Sequence, residues 1–519
     1  MSRSLPPRPD LDQLRRQAKE LRDAARAGDT AAGQRLTRSV GSPSLITLSL
    51  AQLVIAREHG FPSWARLKAA VTDGTAGLVD GFLTASVEER LGAARRMLDA
   101  TPEIASFDIS TAAVLGDVTT VRELVGARPE AAVTPDSRRG WPPLLYACHS
   151  AWHRVADDRA EGILRTVWFL LDSGAGANSS NGLPSRRGYR SALYGAAGIA
   201  NNPAVTSLLL RYGADPDDDE SLYHAAQHAD LACLRVLLGH GAKVAGTNAF
   251  AAAIRPGNTE GVRLLLEAGG DPGRPAPNGV PDGRLATKEL SPLPLAVTTC
   301  GVDVVEPLLA AGADPNAWGT DHLSVVRRAA RKGNQEVVDL LLSRGARDDT
   351  TAVDRFVGAC LRADRDAAER ILAVAPDLAA DGTLADVGSF ADAAEYSDPA
   401  AVRLMLDLGF PVTVRRHEDG ATALHAAAYA GRAGIVSLLL ERGADVNAPD
   451  GQWGSTALAW ASVGSGERPA YARDADWPAT VRTLLAAGST VADAWIGGKP
   501  PSEEVGTVLI EHGVEEPDA

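Results

Sequence analysis

One leucine-rich phrase closed by glycine recurs along most of the chain, and it constrains the fold more than any single residue. It reads LLDSGAGAN from Leu170, LLLRYGAD from Leu208, LLGHGAK from Leu237 and LLLEAGGD from Leu264. It continues as LLAAGADPN from Leu308, LLLSRGARD from Leu340, LLLERGADVN from Leu438 and LLAAGST from Leu484. Self-similarity at a spacing of about 30–35 residues indicates stacked supersecondary units rather than one globular core. Each unit is too short to bury its own apolar face and must bury it against its neighbours. Such a stack offers a long continuous surface, so binding is the expected role and catalysis would need separate residues to support it.

The rest of the composition narrows the class. With 519 residues, 45% hydrophobic and 23% charged, the chain has ordinary soluble composition. The opening MSRSLPPRPD lacks the apolar core of a signal peptide. No run of about 18 apolar residues occurs, so no membrane span is expected. Cys148, Cys233, Cys300 and Cys360 stand singly within or near apolar helical runs, without a zinc or disulfide pattern, which fits a reducing cytoplasm. The formal net charge of −14 argues against a nucleic-acid partner, which needs a basic face, and mildly favours a basic protein. Six lysines against 46 arginines point to a GC-rich bacterial genome.

Residues 1–73 read differently from the remainder. Leu11, Leu14, Ala18, Leu21 and Ala25 make one apolar helical stripe that Gly28 is placed to end. A second helix is expected from an N-cap at Thr47 to Gly60, and a third after Ser63 carrying Trp64, Leu67 and Val71. Together they form a small helical cap of the kind a solenoid end needs. Repeats should fill 74–519, with thirteen outer helices ending near 98, 124, 171, 210, 238, 266, 309, 342, 372, 406, 440, 485 and 510. Three units end in Pro102, Pro129 and Pro376 instead of glycine, and proline there still stops a helix. Four segments exceed the period: 149–162, 176–190, 271–290 and 463–478. Insertions in such arrays tend to fall on loops of one face, often the binding face.

The clearest unit spans 420–456. Thr422 is placed to cap a helix whose narrow face is Leu424, Ala427 and Ala428. Gly431 breaks the chain, a second helix carries Ile435, Val436 and Leu438 to Leu440, and Gly443 supplies its left-handed end. This pattern resembles the ankyrin repeat. The T-P-L-H-x-A-A stretch of that family appears as TALHAAA from Thr422, SALYGAA from Ser191, SLYHAAQ from Ser221, PPLLYAC from Pro142 and SPLPLAV from Ser291. The resemblance covers about 80–513. It implies an all-α solenoid of about thirteen helix-turn-helix units with β-like fingers. The stretch ITLSLAQLVIAREHGFPSWARLKAAV is similar to a helical leader found ahead of ankyrin repeats in bacterial proteins, which brings no known activity.

The resemblance also implies where a partner is met: at the finger tips and at the positions following the Ala-Ala pair. The tips give Trp141, Tyr189 with Arg190, Trp318, and Gln452, Trp453 and Ser455. The second set gives His149, Gln227 with His228, Arg331 with Lys332, and Tyr429. Large aromatics at solvated tips suit interface anchors, although each ring would serve equally as local packing if it lay back over a neighbouring finger. Two histidine pairs at i,i+4, His149 with His153 and His224 with His228, match metal-site spacing. His224, however, matches the family's structural His, so no metal is expected. DPDDDE at 215–220 lacks the register of a calcium loop. No phosphate loop or nucleophile elbow occurs, GSTALAW reads as a finger, and SVGSG lies in an insertion, so no catalytic residue or cofactor is expected. The first reading is an intracellular scaffold that binds another protein. The alternative is a small-molecule binder or enzyme, with the insertions at 149–162, 271–290 and 463–478 roofing a pocket lined by Tyr146, His149, Trp152, His153, Tyr194 and His228.

Overall fold

The unit at 420–456 shows how this sequence makes its repeat. The computed structural model describes residues 11–40, 46–59, 61, 64, 67–68, 71, 74–88, 90–182, 189–218, 220–273, 291–319, 321–379, 389–396, 398–416, 419–467, 474–491 and 501–514. Thr422, extended at φ −88° and ψ 169°, starts the inner helix Ala423–Tyr429. Its hydroxyl (2.8 Å) and amide (3.2 Å) meet His425 Nδ1, and His425 Nε2 donates to the Ser455 carbonyl of the next finger at 3.0 Å. The small residues Ala426, Ala427 and Ala428 are buried, which lets inner helices approach closely. The outer helix Ala433–Glu441 buries Ile435, Val436, Leu438 and Leu439. Gly443 at φ 87° then turns the chain, where a Cβ would be strained, while Ala444 N–H bonds back to the Leu439 carbonyl at 3.0 Å.

The asparagine that follows the glycine turn has a repeated task. Asn447 donates to the Gly488 carbonyl at 3.1 Å and accepts from the Thr490 amide at 2.8 Å. Asn178 makes the same pair of bonds to Gly213 and Asp215, and Asn316 to Gly345 and Arg347. One side-chain amide thus satisfies a helix-end carbonyl and a loop amide in the next unit, which ties successive turns together.

Thirteen outer helices are present among the described residues, from Leu91–Ala100 to Glu503–Glu511. The fold is all-α and solenoid in type. The expected β-like fingers carry only the isolated bridges Ser180↔Ser191, Trp318↔Ser324 and Arg415↔Thr422, with no strand among the described residues. Pro102, Pro129 and Pro376 do more than stop helices: each opens a 3-10 turn, Pro102–Ser106, Pro129–Ala132 and Pro376–Ala379. No helix among the described residues is long and apolar enough to cross a membrane.

By internal contact the chain divides into two units. One comprises 73–329 and 334–349, and the other comprises 1–72, 330–333 and 350–519. In the second, the N-terminal helices pack against the last outer helix, Glu503–Glu511. Leu14, Ala18, Leu21, Leu50, Leu53, Val54 and Ile55 share a core with Ile510, and Arg57 donates to the Thr507 hydroxyl at 3.2 Å. Thr47 caps Leu48–Glu58 as expected, by accepting from the Leu50 amide at 3.1 Å. A helix at Thr30–Val40 lies in a stretch that the sequence reading left unassigned. The third expected helix is only partly described, and Gly60, Pro62 and Ser63 lie outside the described residues.

The long segments differ from expectation where they are described. The stretch 149–162 forms no roof: it is a 3-10 turn, Ala151–Arg154, followed by the first turns of a long outer helix, Asp157–Asp172. The string SVGSG belongs to the inner helix Ala457–Glu467, which is four residues longer than Ala423–Tyr429 because it runs 11 residues against 7. Most of 271–290, with 183–188 and 468–473, lies outside the described residues.

Candidate functional site

Two fingers share a device that fixes an aromatic ring on the following inner helix. In the first, the Asp136 carboxylate accepts from the Arg139 amide at 2.9 Å, the Trp141 amide at 3.4 Å and the Tyr146 hydroxyl at 2.6 Å. In the second, Asp450 accepts from the amides of Gln452 (2.8 Å), Trp453 (2.6 Å) and Ser455 (3.0 Å) and from the Trp460 indole N–H at 3.0 Å. The acid stands ten residues ahead of the ring in both cases. Burial alone would raise both carboxyls. The bonds they accept, from Tyr146 onto Asp136 and from the Trp453 amide and Trp460 indole onto Asp450, outweigh it and hold both below the ordinary carboxylate range. The same bond, with burial as the larger cause, pushes the Tyr146 phenol up.

In the first unit the ring at the tip turns inward. Trp141, expected at an exposed tip, is 5% exposed. Its ring lies 5.2 Å from that of Tyr146 and 4.8 Å from His149, with the Arg139 guanidinium over it at 5.7 Å. His149 continues the row edge-on to Tyr194, and Tyr194 packs on His224 at 4.6 Å. Arg190 lies over Tyr194 at 5.3 Å, and its amide donates to Asn181 at 2.7 Å. Tyr189 is half-buried and hydrogen-bonded to Ser180 and Ser191. Trp152 is also core: its indole donates to Ser86 at 2.9 Å and its ring packs on Phe82. Of the side chains named for a pocket wall, Tyr146, His149, Trp152 and Tyr194 are therefore buried in ring contacts within the unit. Trp318, by contrast, is 58% exposed at its tip, bridged through its backbone to Ser324.

His149 is buried because Gly195 makes room for it. A Cβ at Gly195 would stand 2.2 Å from His149 Nδ1. That glycine begins a single π-turn, Gly195–Ile199. His149 Nδ1 bonds the Leu145 carbonyl at 2.9 Å, and among the described residues its Nε2 has no hydrogen-bond partner. Burial drives its pKa down to about 3. The spaced histidines do not converge. His153 Nδ1 bonds the Ser150 carbonyl at 3.0 Å and His228 Nε2 the Gly198 carbonyl at 2.8 Å. His224 is not in the family's His position. Glu220 is the N-cap where Thr422 is in the clear repeat, so Tyr223 corresponds to His425 and His224 stands one residue further on. There it packs on Tyr194 and pairs with Glu220 at 3.3 Å. Among the described residues no group of three or more His, Cys, Asp or Glu could hold a metal.

In the other unit the aromatic group stays at the surface. Trp453 is 61% exposed and meets Trp460 at 5.7 Å with an interplanar angle of 61°. Tyr429, half-buried, meets Trp460 edge-to-face at 5.8 Å and 79°. Beneath them His425 touches Trp460 at 5.6 Å, and buried Trp477 donates to the Tyr429 carbonyl at 3.1 Å. Sequence reasoning missed Trp460, because GSTALAW was read wholly as a finger although its last four residues begin a helix. The spacing from Asp450 to Trp460, equal to that from Asp136 to Tyr146, is the signal that identifies it. On the same unit's inner helices, Asp354 is fully buried and paired with Arg331, and Asp392 meets Lys332 at 3.1 Å and Arg416 at 3.9 Å. Arg331 and Lys332, expected to face a partner, are thus engaged with this chain's own carboxylates.

Comparison with known families adds one finding. A model described as ankyrin repeats (3 copies) matches residues 193–276 and 390–469. Each matched stretch lies within one of the two units, and the second contains Tyr429, Trp453 and Trp460.

Proposed function

This chain carries ankyrin repeats, which generally mediate contacts between proteins, and on that premise we propose that it is a scaffold that binds another protein through the surface around Tyr429, Trp453 and Trp460. The observation that carries the reading is the exposure of Trp453. An indole 61% exposed gains little by folding, yet this one is positioned by its backbone N–H, which donates to the Asp450 carboxylate, and by ring contact with Trp460. Preorganised aromatics lose little side-chain entropy on binding and are favoured as interface anchors. Trp318 is a second exposed tip of the same kind in the other unit. Trp141, Trp152 and His149 leave the anchor set, since buried rings cannot meet a partner without local unfolding.

Affinity capture from native lysate on the full chain tests the reading. A protein retained by wild type and lost by Trp453→Ala, with the melting profile of the variant unchanged, supports it. Equal retention by Trp453→Ala and Trp460→Ala overturns it.

A further inference from the structure

Within the chain, arginine is the cation that lies on aromatic faces. Three cation–π contacts occur among the described residues: Arg122 over Phe169, Arg139 over Trp141 and Arg190 over Tyr194. All three cations are arginines, and two of them belong to fingers. A planar guanidinium stacks on an aromatic face with less loss of hydration than an ammonium. The Asp450 finger repeats the Asp136 finger with one exchange: Trp453 stands at the third position after the acid, where Arg139 stands in the other. An aromatic has taken the place of the internal cation. Among the described residues no arginine or lysine lies over Trp453 or Trp460.

The electrostatics of the corner suit a cation. Trp460 donates its indole N–H to the Asp450 carboxylate, which places a negative charge at the ring's edge and polarises its π-face. The angles of 61° and 79° make a corner of three rings rather than a stack. The chain's net charge of −14 steers a basic partner toward it.

We propose that the Tyr429–Trp453–Trp460 corner receives an arginine side chain of a protein partner. The proposal rests on the protein-binding reading above and specifies its chemistry. The arginine would stack on the exposed indole of Trp453, the kind of contact that Arg139 makes with Trp141 inside the chain.

The test measures binding of a peptide of alternating glycine and arginine to the full chain, in salt high enough to screen general attraction over about 8 Å. A glycine–lysine peptide of equal length and charge is the control, together with the variants Trp453→Ala and Trp453→Phe. The arginine peptide should bind more tightly than the lysine peptide. Trp453→Ala should weaken it by about three- to thirtyfold, with Trp453→Phe restoring part of the loss. Equal binding of the two peptides overturns the proposal, as does a Trp453→Ala affinity within about twofold of wild type, too small for a lost cation–π contact. If either happens while Trp453→Ala still loses its captured protein, the arginine chemistry fails and the scaffold reading stands.

Discussion

Replacing Trp141 by alanine should destabilise the 73–329 unit, although the sequence places Trp141 at a tip. A tryptophan buries on the order of 200 Å², at about 25 cal/mol per Å². With 5% exposure nearly all of that area is lost on truncation, and the ring also supports Tyr146, His149 and Arg139. The expected cost is about 3–5 kcal/mol, the range for emptying a buried aromatic site. Trp453, at 61% exposure, covers roughly two-fifths of the same area, so its truncation should cost at most about 2 kcal/mol. Repeat arrays need not unfold in one step, so the assay is hydrogen exchange followed by mass spectrometry rather than one melting curve. Amides of 141–152 in Trp141→Ala should lose protection by about a hundredfold or more, since each 1.4 kcal/mol is a factor of about ten. Amides of 450–463 in Trp453→Ala should change far less. Equal protection losses in the two variants would refute the assignment of Trp141 to the core and Trp453 to the surface.

Three further outcomes follow from named contacts. Gly195→Ala should destabilise by about 1–3 kcal/mol by driving a methyl into the His149 ring, and His149→Ala should relieve much of that cost in a double-mutant cycle on denaturant stability. Folded His149 stays neutral down to about pH 3 while the unfolded chain protonates it near 6.5. The unfolded state therefore binds the extra proton in that window, and stability is lost as pH falls through it. His149→Leu should reduce the slope of stability between about pH 4 and 6 by about 1.4 kcal/mol per unit, and an unchanged slope counts against the buried neutral imidazole. Ile510→Ala should cost about 2–4 kcal/mol and raise exchange in 48–58 and 503–511 together, because the two helices share that residue's core.

Much of the architecture was legible because glycine turns and helix periodicity are local. The Leu-Leu-Leu phrase fixes an outer helix and Gly443 its end, without reference to anything distant. What escaped depended on contacts across units of the repeat. Trp141 reads as a solvated tip, yet Asp136 folds the finger back and the Tyr146 and His149 rings receive the indole. His224 matches a one-letter pattern, but the N-cap at Glu220 shifts the register by one residue. Trp460 was hidden by the expectation of a finger, although the acid ten residues before it could have revealed it. The N-terminal segment was legible as helices from its apolar stripe and the Thr47 cap, while the helix it packs against, Glu503–Glu511, lies at the far end of the sequence and no local signal names it.

Photo-crosslinking from the tip tests the central claim most directly. A p-benzoylphenylalanine placed at position 453 of the full chain, and in a second preparation at position 374, also exposed but on the outer helix Arg365–Val374, is irradiated in native lysate. A discrete protein adduct from position 453 that is absent from position 374 is the result the account predicts. No adduct from position 453, or the same adducts from both positions, would contradict a binding surface at Tyr429, Trp453 and Trp460.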